Sequence, residues 1–402
     1  MPDYQPASRV TRIKESASVQ AAARVRELKA EGRSIIDLTV GEPDFDTPEH
    51  VKQAAVAAIA AGETKYTSVT GTPQLRSAIL DHVERRTGLR YSPSELTIAG
   101  GAKQVIFTAF MASLDEGDEV IVPAPYWVSY PDMVLANGGT PVIVPCGDEV
   151  GFKLTPGALA AAITPATTWL ILNTPSNPTG VVYSRDELEA LAAVLAEHPG
   201  VYVLTDEIYD EIFYGNGRIS SFVAAAPELR DRVLVVNGVS KAYAMTGWRL
   251  GYAVGPAALV ASINKLQSQI SSCPSSISQA AAAAALDGDQ SFVAECVEAY
   301  RERRDAAVAG LNAVDGLSCE TPQGAFYAYV NCRGAIGKTT PDGATINNDQ
   351  DFVLYLLDAA SVAVIPGSAY GLGPYFRISF ATSLETINAG VEAIDKAMRA
   401  LS

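Results

Sequence analysis

Histidine is almost missing from this chain. His50, His82 and His198 are the only three in 402 residues, each in a helix-like stretch and none near another in sequence. They supply no spaced set of metal ligands, and no metal site is expected. Cysteine is sparse too: Cys146, Cys273, Cys296, Cys319 and Cys332 are odd in number, scattered and without metal-ligand spacing. Reduced thiols in the cytoplasm are the expectation. Basic residues are outnumbered, 30 Lys+Arg against 45 Asp+Glu, and the net charge of −15 argues against a nucleic-acid or membrane partner. No run reaches the roughly 20 apolar residues of a transmembrane helix. The opening MPDYQPASRVTRIKES lacks the apolar centre of a signal peptide. Internal repeats, low-complexity tracts and free linkers are absent; the alanine-rich run 280–285 reads as close helix packing. What is present is ordinary for a soluble enzyme: 48% hydrophobic and 19% charged residues, in a length sufficient for two domains with substantial cores.

The chain is organised around Ser240-Lys241 and Arg249. Val233–Val236 is an apolar run of strand length, so Lys241 falls just past a strand end, where open α/β sheets place their sites. A second strand-like run begins at Arg249 and continues to Val254. An amine able to form a Schiff base, with an arginine eight residues on to hold a phosphate, is what a pyridoxal 5′-phosphate (PLP) enzyme needs.

Other segments read in the same terms. Residues 1 to 15 form an irregular arm, and a helix from Val19 to Glu31 stops at Gly32. Ile35–Val40 is a strand candidate, followed by a turn-rich loop and a helix from Pro48-Glu49 to about Ala61 with Thr47 at its N-cap. Strand Glu95–Ala99 meets Gly100-Gly101-Ala102-Lys103, a small-residue turn into a helix; bare N–H groups at a helix start cradle phosphate. Trp127 follows strand Glu119–Val122 and offers a flat face for a pyridine ring. Strand Trp169–Leu172 runs into a proline-fixed turn carrying Asn177, an amide donor for a phenolate oxygen. Asp206 ends strand Val201–Thr205, where a buried carboxylate needs a cation such as a protonated pyridine nitrogen. Tyr209, three residues on, can donate to the ring O3′ beside Asn177. Residues 256 to 286 read as helical with a break near Ser271–Ser276, and a long helix follows from Gln290 to Val314. Gly324–Tyr327 and Val362–Gly367 are strand candidates, and Ala335–Asn348 is a polar insertion. Arg377 interrupts an apolar strand, Tyr375–Phe380, and that burial makes sense for a guanidinium clamping a carboxylate. Strands alternating with helices over about 50–285 indicate a mostly parallel α/β sheet.

The motifs GEPDFDTP, K-Y-T (65–67), P-Y-W, N-x-P-x-N-P-T-G, D-E-I-Y and SKAYAMTGWRLGY resemble, nearly end to end, those of class I aminotransferases. Within that family GEPDFDTPEHV, PAPYWVSYP and GSAYGLGPYFRISFATS are most similar to the bacterial aspartate enzymes, some of which also accept prephenate. The resemblance implies the fold-type I PLP-dependent transferase fold, with a seven-stranded sheet in the large domain and a smaller α+β domain. It implies domains of 1–49 (arm and part of the small domain), 50–288 (PLP-binding) and 289–402 (C-terminal). Lys241 becomes the Schiff-base lysine. Gly101, Ala102, Lys103, Trp127, Asn177, Asp206, Tyr209, Ser240 and Arg249 become cofactor residues, and Tyr66 reaches into the site of a second subunit of a homodimer. Gly41, Trp127, Asn177 and Arg377 meet the substrate and its α-carboxylate. Gly238 stands where much of the family has a phosphate-binding serine, and Ser240 is the candidate substitute. No arginine lies in Ser271–Ser276 to take a distal carboxylate. In the bacterial branch Lys103, Ser16 and Ser18 match the residues that do so, with Lys14 a further candidate for a prephenate-like substrate.

The function implied is ping-pong transfer of an amino group from aspartate or glutamate to 2-oxoglutarate or oxaloacetate. Prephenate and aromatic amino acids are alternative substrates. A PLP lyase or synthase of the same fold would show no second half-reaction. A ligand-sensing regulator would need a basic DNA-binding module, for which residues 1 to 40 are too short.

Overall fold

The computed structural model describes residues 4–15 and 17–402. Its centre is a seven-stranded sheet in the order Leu96–Ala99, Gly251–Val254, Val233–Gly238, Tyr202–Asp206, Thr167–Asn173, Glu119–Ala124, Thr140–Pro145. The strands run parallel except Gly251–Val254, which is antiparallel to both neighbours. Central strands are buried on both faces, as their unbroken apolar runs require: Val233–Gly238 has no exposed residue. One face is covered by helices Glu49–Ala60, Pro73–Thr87, Arg185–Ala196 and Ser276–Asp287, the other by Ala102–Ser113 and Ala257–Ile270.

A second layer system lies beyond it. Strands Ile365–Pro366, Tyr375–Ser379, Tyr327–Asn331 and Ser318–Cys319 form an antiparallel sheet against helices Ser291–Asn312 and Leu384–Arg399. Ile36–Asp37 pairs in parallel with Val362–Ala363. We propose the division 1–49, 50–288 and 289–402 on this basis: Gly288 ends the last helix on the large sheet, and Ser291 opens the first helix of the second core.

Several local expectations are corrected. The strand expected over Ile35–Val40 shrinks to Ile36–Asp37, because the Leu38 carbonyl turns to accept from Ser379 N–H and the Thr39 carbonyl turns to Arg377. Thr47 does not cap its helix; its hydroxyl donates to Ala244 O at 2.7 Å and accepts from Trp248 Nε1 at 2.9 Å. Arg249 precedes its strand rather than opening it, in the left-handed region at φ 54°. Tyr327 begins a strand expected from Gly324, since Ala325 turns at φ 56°. Val362–Gly367 splits between two sheets. Helices Tyr130–Ala136, Pro156–Ala162 and Asp349–Ala359 went unread, although Thr155 and Asn348 cap the last two through their side chains.

Gly251 shows how tightly sheet and turn are pressed together. A Cβ there would sit 2.1 Å from Ala102 N and 2.5 Å from Gly101 C, both backbone atoms. Overpacking of this kind costs about 1–3 kcal/mol. Gly251→Ala should therefore lose stability in that range in urea melts, whereas Gly200→Ala, whose Cβ would meet nothing within 4 Å, should stay within about 0.5 kcal/mol.

Candidate active site

Three parallel strands end at one cavity of about 560 Å³. Asn173 and Asp206 are register partners at two strand ends, and the chain after Val233–Gly238 brings in Ser240 and Lys241. The cavity sits where open α/β sheets hold ligands, outside the carboxyl ends of the strands.

Asp206 is 4% exposed. Its Oδ2 accepts from the Tyr130 hydroxyl at 2.7 Å and its Oδ1 from Ile208 N–H at 3.3 Å. Burial pushes its pKa up to about 6, against the opposing pull of those two donors and of Lys241. Among the described residues no Lys or Arg pairs with it. Glu207 next to it faces away, holding Thr205 and Ser221 hydroxyls and Phe222 N–H, and burial pushes it to about 7. That glutamate ties the following loop to the sheet.

Arg377 presents the reverse situation. It is 2% exposed, with no carboxylate paired to it among the described residues. Nη1 donates to Asn177 Oδ1 at 2.9 Å and Nη2 to Thr39 O at 2.8 Å, while Nε has no partner. The guanidinium lies 4.3 Å over the Tyr327 ring. A short relay continues across the site: Asn177 N–H donates to Asn173 Oδ1 at 2.8 Å, and Asn173 Nδ2 donates to Asp206 O at 2.9 Å. Tyr209 and Tyr327 share a hydroxyl–hydroxyl bond of 2.9 Å, and burial raises the pKa of both.

Lys241 reaches into the cavity between these poles and donates to Gly41 O at 2.6 Å. Desolvation lowers its amine to about 8, assisted by Arg377 and Arg249 and resisted by Glu42 and Asp206. An amine that is already half neutral near pH 8 is a competent nucleophile and base.

One corner of the cavity is built from Gly100 to Lys103 and Arg249. Arg249 Nη1 donates to Thr246 O at 2.7 Å and Nη2 to Gly100 O at 3.3 Å, which holds the strained residue in place. Gly101, at φ 107°, is required: a Cβ would lie 2.6 Å from Arg249 Nη2. Helix Ala102–Ser113 starts here, so its first N–H groups have no acceptor within the helix. Lys103 lies with Nζ 4.8 Å from the Trp127 ring centre, and burial and then Arg249 lower its pKa.

The cavity thus unites Gly41, Ala102, Lys103, Trp127, Asn177, Asp206, Tyr209, Ser240, Lys241, Arg249 and Arg377. Tyr66 stands apart, 88% exposed. Lys14 is exposed, its backbone N–H bonded to Asp132, and its side chain does not line the cavity. Ser16 and the Ser18 side chain lie outside the described residues. Sequence reasoning missed Tyr130, Thr39, Asn173 and Tyr327. Tyr130 carried a signal, three residues after Trp127; the Thr39 carbonyl carried none. His82 meets Asp210 and Glu211 in space, unlike its isolation in sequence. Arg86 is the cation there, 3.2 Å from Asp210 and 3.5 Å from Glu211.

This sheet with its strand-end lysine, aspartate and arginine defines the fold-type I transferase fold of the PLP enzymes. The chain belongs to the class I and II aminotransferases, whose family model matches residues 33–394. It is 53% identical to an aspartate aminotransferase of Rhizobium meliloti (strain 1021) over 399 residues, 99% of this chain and 97% of that one. It is 50% identical over 393 residues to an aspartate/prephenate aminotransferase of Cereibacter sphaeroides, covering 98% of each. The crystal structure of the Rhizobium meliloti aspartate aminotransferase superposes with a TM-score of 0.97 at 52% identity, covering 100% of both chains.

The lowered pKa of Lys241 has a direct chemical consequence. The neutral amine gains population as pH rises through about 8, whereas an ordinary lysine, at about 10.5, is still protonated there. Reductive methylation of the cofactor-free protein, read by peptide mass spectrometry, should label Lys241 half-maximally near pH 8. A profile matching the surface lysines would show that burial does not set its basicity.

Proposed function

We propose that this chain is a PLP-dependent aminotransferase acting on aspartate and glutamate with 2-oxoglutarate or oxaloacetate as acceptors, by a ping-pong mechanism. One observation carries the reading: two buried charges of opposite sign, Arg377 and Asp206, face one cavity and have no counter-ion among the described residues. An α-carboxylate and a protonated pyridine nitrogen are the partners they lack.

The residues fit the cofactor. Gly101, Ala102 and Lys103 at the helix start, with Arg249 and Ser240, would hold the phosphate. Trp127 would take the ring face, and Asn177 and Tyr209 the O3′ oxygen. Asp206, ionised at pH 7 with a pKa of about 6, would keep the ring nitrogen protonated. When bound, PLP supplies an electron sink for the pair left behind as the substrate Cα–H bond breaks. Lys241 is the base that removes that proton, from an amine already tuned by burial. Arg377 orients the α-carboxylate through two parallel hydrogen bonds, and Asn177 steers Arg377. Gly41 lines the cavity beside Tyr327, and its carbonyl accepts from the Lys241 amine.

Lys103 would meet a distal carboxylate, a point charge able to withdraw when the side chain is apolar. The aspartate and aspartate/prephenate relatives support a dicarboxylic substrate and keep prephenate as a second amino acceptor. The exposure of Tyr66 fits a residue completed by a second copy of the chain, so a homodimer with shared sites is part of the proposal, and the five unpaired cysteines fit a cytoplasmic setting.

A spectrophotometric half-reaction screen tests the reaction class: each amino donor should bleach the lysine-bound cofactor and each oxo acid restore it. Asp206→Asn should keep cofactor yet lose at least a hundredfold in aspartate turnover, about 2.7 kcal/mol in the barrier. A loss under tenfold would remove Asp206 from the electron-sink role. For substrate choice, Lys103→Ala should cost about tenfold in kcat/KM for aspartate, the low end for a charge-assisted bond because the side chain is partly open to water. Phenylalanine should lose far less. Equal losses would place Lys103 with the phosphate instead.

A further inference from the structure

Five cationic side chains line the cavity, Arg26, Lys103, Lys241, Arg249 and Arg377. Four are held by contacts: Lys103 over Trp127, Lys241 on Gly41, Arg249 on Thr246 and Gly100, Arg377 on Asn177 and Thr39. Arg26 has no hydrogen bond, ion pair or ring contact among the described residues. The proposed reaction also leaves it without a task, since phosphate, α-carboxylate, Schiff base and short distal carboxylate are already assigned.

Its placement is set by the helix Ala17–Ala30. Val25 and Leu28 bury one face against Ile35 and Ala363. Val19, Ala22 and Arg26, at i, i+3 and i+7, form the face that lines the cavity. Asp37, the carboxylate on the same wall, is engaged elsewhere: it accepts from Thr39 N–H at 3.1 Å and Thr39 Oγ1 at 2.7 Å, and lies 3.6 Å from Lys29. Among the described residues the guanidinium is therefore without a partner, at the end of an apolar strip, on a different element from Lys103.

Resting on the dicarboxylate reading above, we infer that Arg26 forms an outer carboxylate subsite, taking the second carboxylate of substrates with a skeleton longer than four carbons. Val19 and Ala22 give the connecting carbons an apolar wall, and the planar fork of Arg26 suits a carboxylate. Lys103 serves the four-carbon case.

The test uses unreactive dicarboxylates of increasing length on the cofactor-loaded enzyme: succinate, glutarate and adipate, with Kd read by calorimetry. Gln keeps the helix propensity of this exposed position, so Arg26→Gln should fold normally. It should weaken adipate about fivefold, the scale of a partly solvated ion pair, and succinate by less than about twofold. Arg26→Lys should recover part of the adipate affinity. Equal weakening of all three acids, or no change in any, would overturn the subsite while leaving the dicarboxylate reading intact. Wild-type enzyme that binds none of the three would overturn that reading and the subsite with it.

Discussion

The structure depends on burying two ions, Asp206 and Arg377, that no counter-ion among the described residues neutralises. Removing a carboxylate or guanidinium from water costs several kcal/mol unless a partner meets it. Asp206 and Arg377 both bear that cost, and the surrounding scaffold keeps them from relaxing away. Tyr130 fixes one carboxylate oxygen. Asn177, Thr39 and the Tyr327 ring fix the guanidinium. The fold thus stores a demand for ligand charge at both ends of a cavity whose centre is a lysine made weakly basic by the same dry surroundings.

The two poles come from different cores, Asp206 from the parallel sheet and Arg377 from the antiparallel one. The amides of Asn173 and Asn177 span the gap by hydrogen bonds of 2.8–2.9 Å. Hydrogen bonds through Asn177 and Asn173 thus join the Arg377 guanidinium to the end of the strand that carries Asp206.

Much of this was legible in the chain because strand ends are local signals. Lys241, Asp206 and Trp127 each follow a short apolar run, and an arginine inside Tyr375–Phe380 is conspicuous by its cost. Residues that act through space were not legible. Thr39 contributes only a carbonyl, and Arg26 was one charge among many on an exposed helix. Strand lengths failed where backbone groups changed partners, as at Leu38. Thr47 carried a correct capping residue type, yet Ala244 and Trp248, some two hundred positions away, claimed its hydroxyl. Such competition has no signature in a linear pattern.

The lone antiparallel strand, Gly251–Val254, has a consequence for assembly. Had it run parallel to Val233–Gly238, the chain would first have to cross back to the far end of the sheet, usually through a helix. Instead Gly238 faces Gly251 across the pairing, and segment 239–250 is a closed loop carrying both Lys241 and Arg249. Closing so short a loop costs little chain entropy compared with joining Asp206 to Arg377. Lys241 and Arg249 are therefore set relative to each other by a local unit. The loop acts as a ruler: an insertion there would change the span between them, whereas the polar stretch 335–348 can vary in length without touching it.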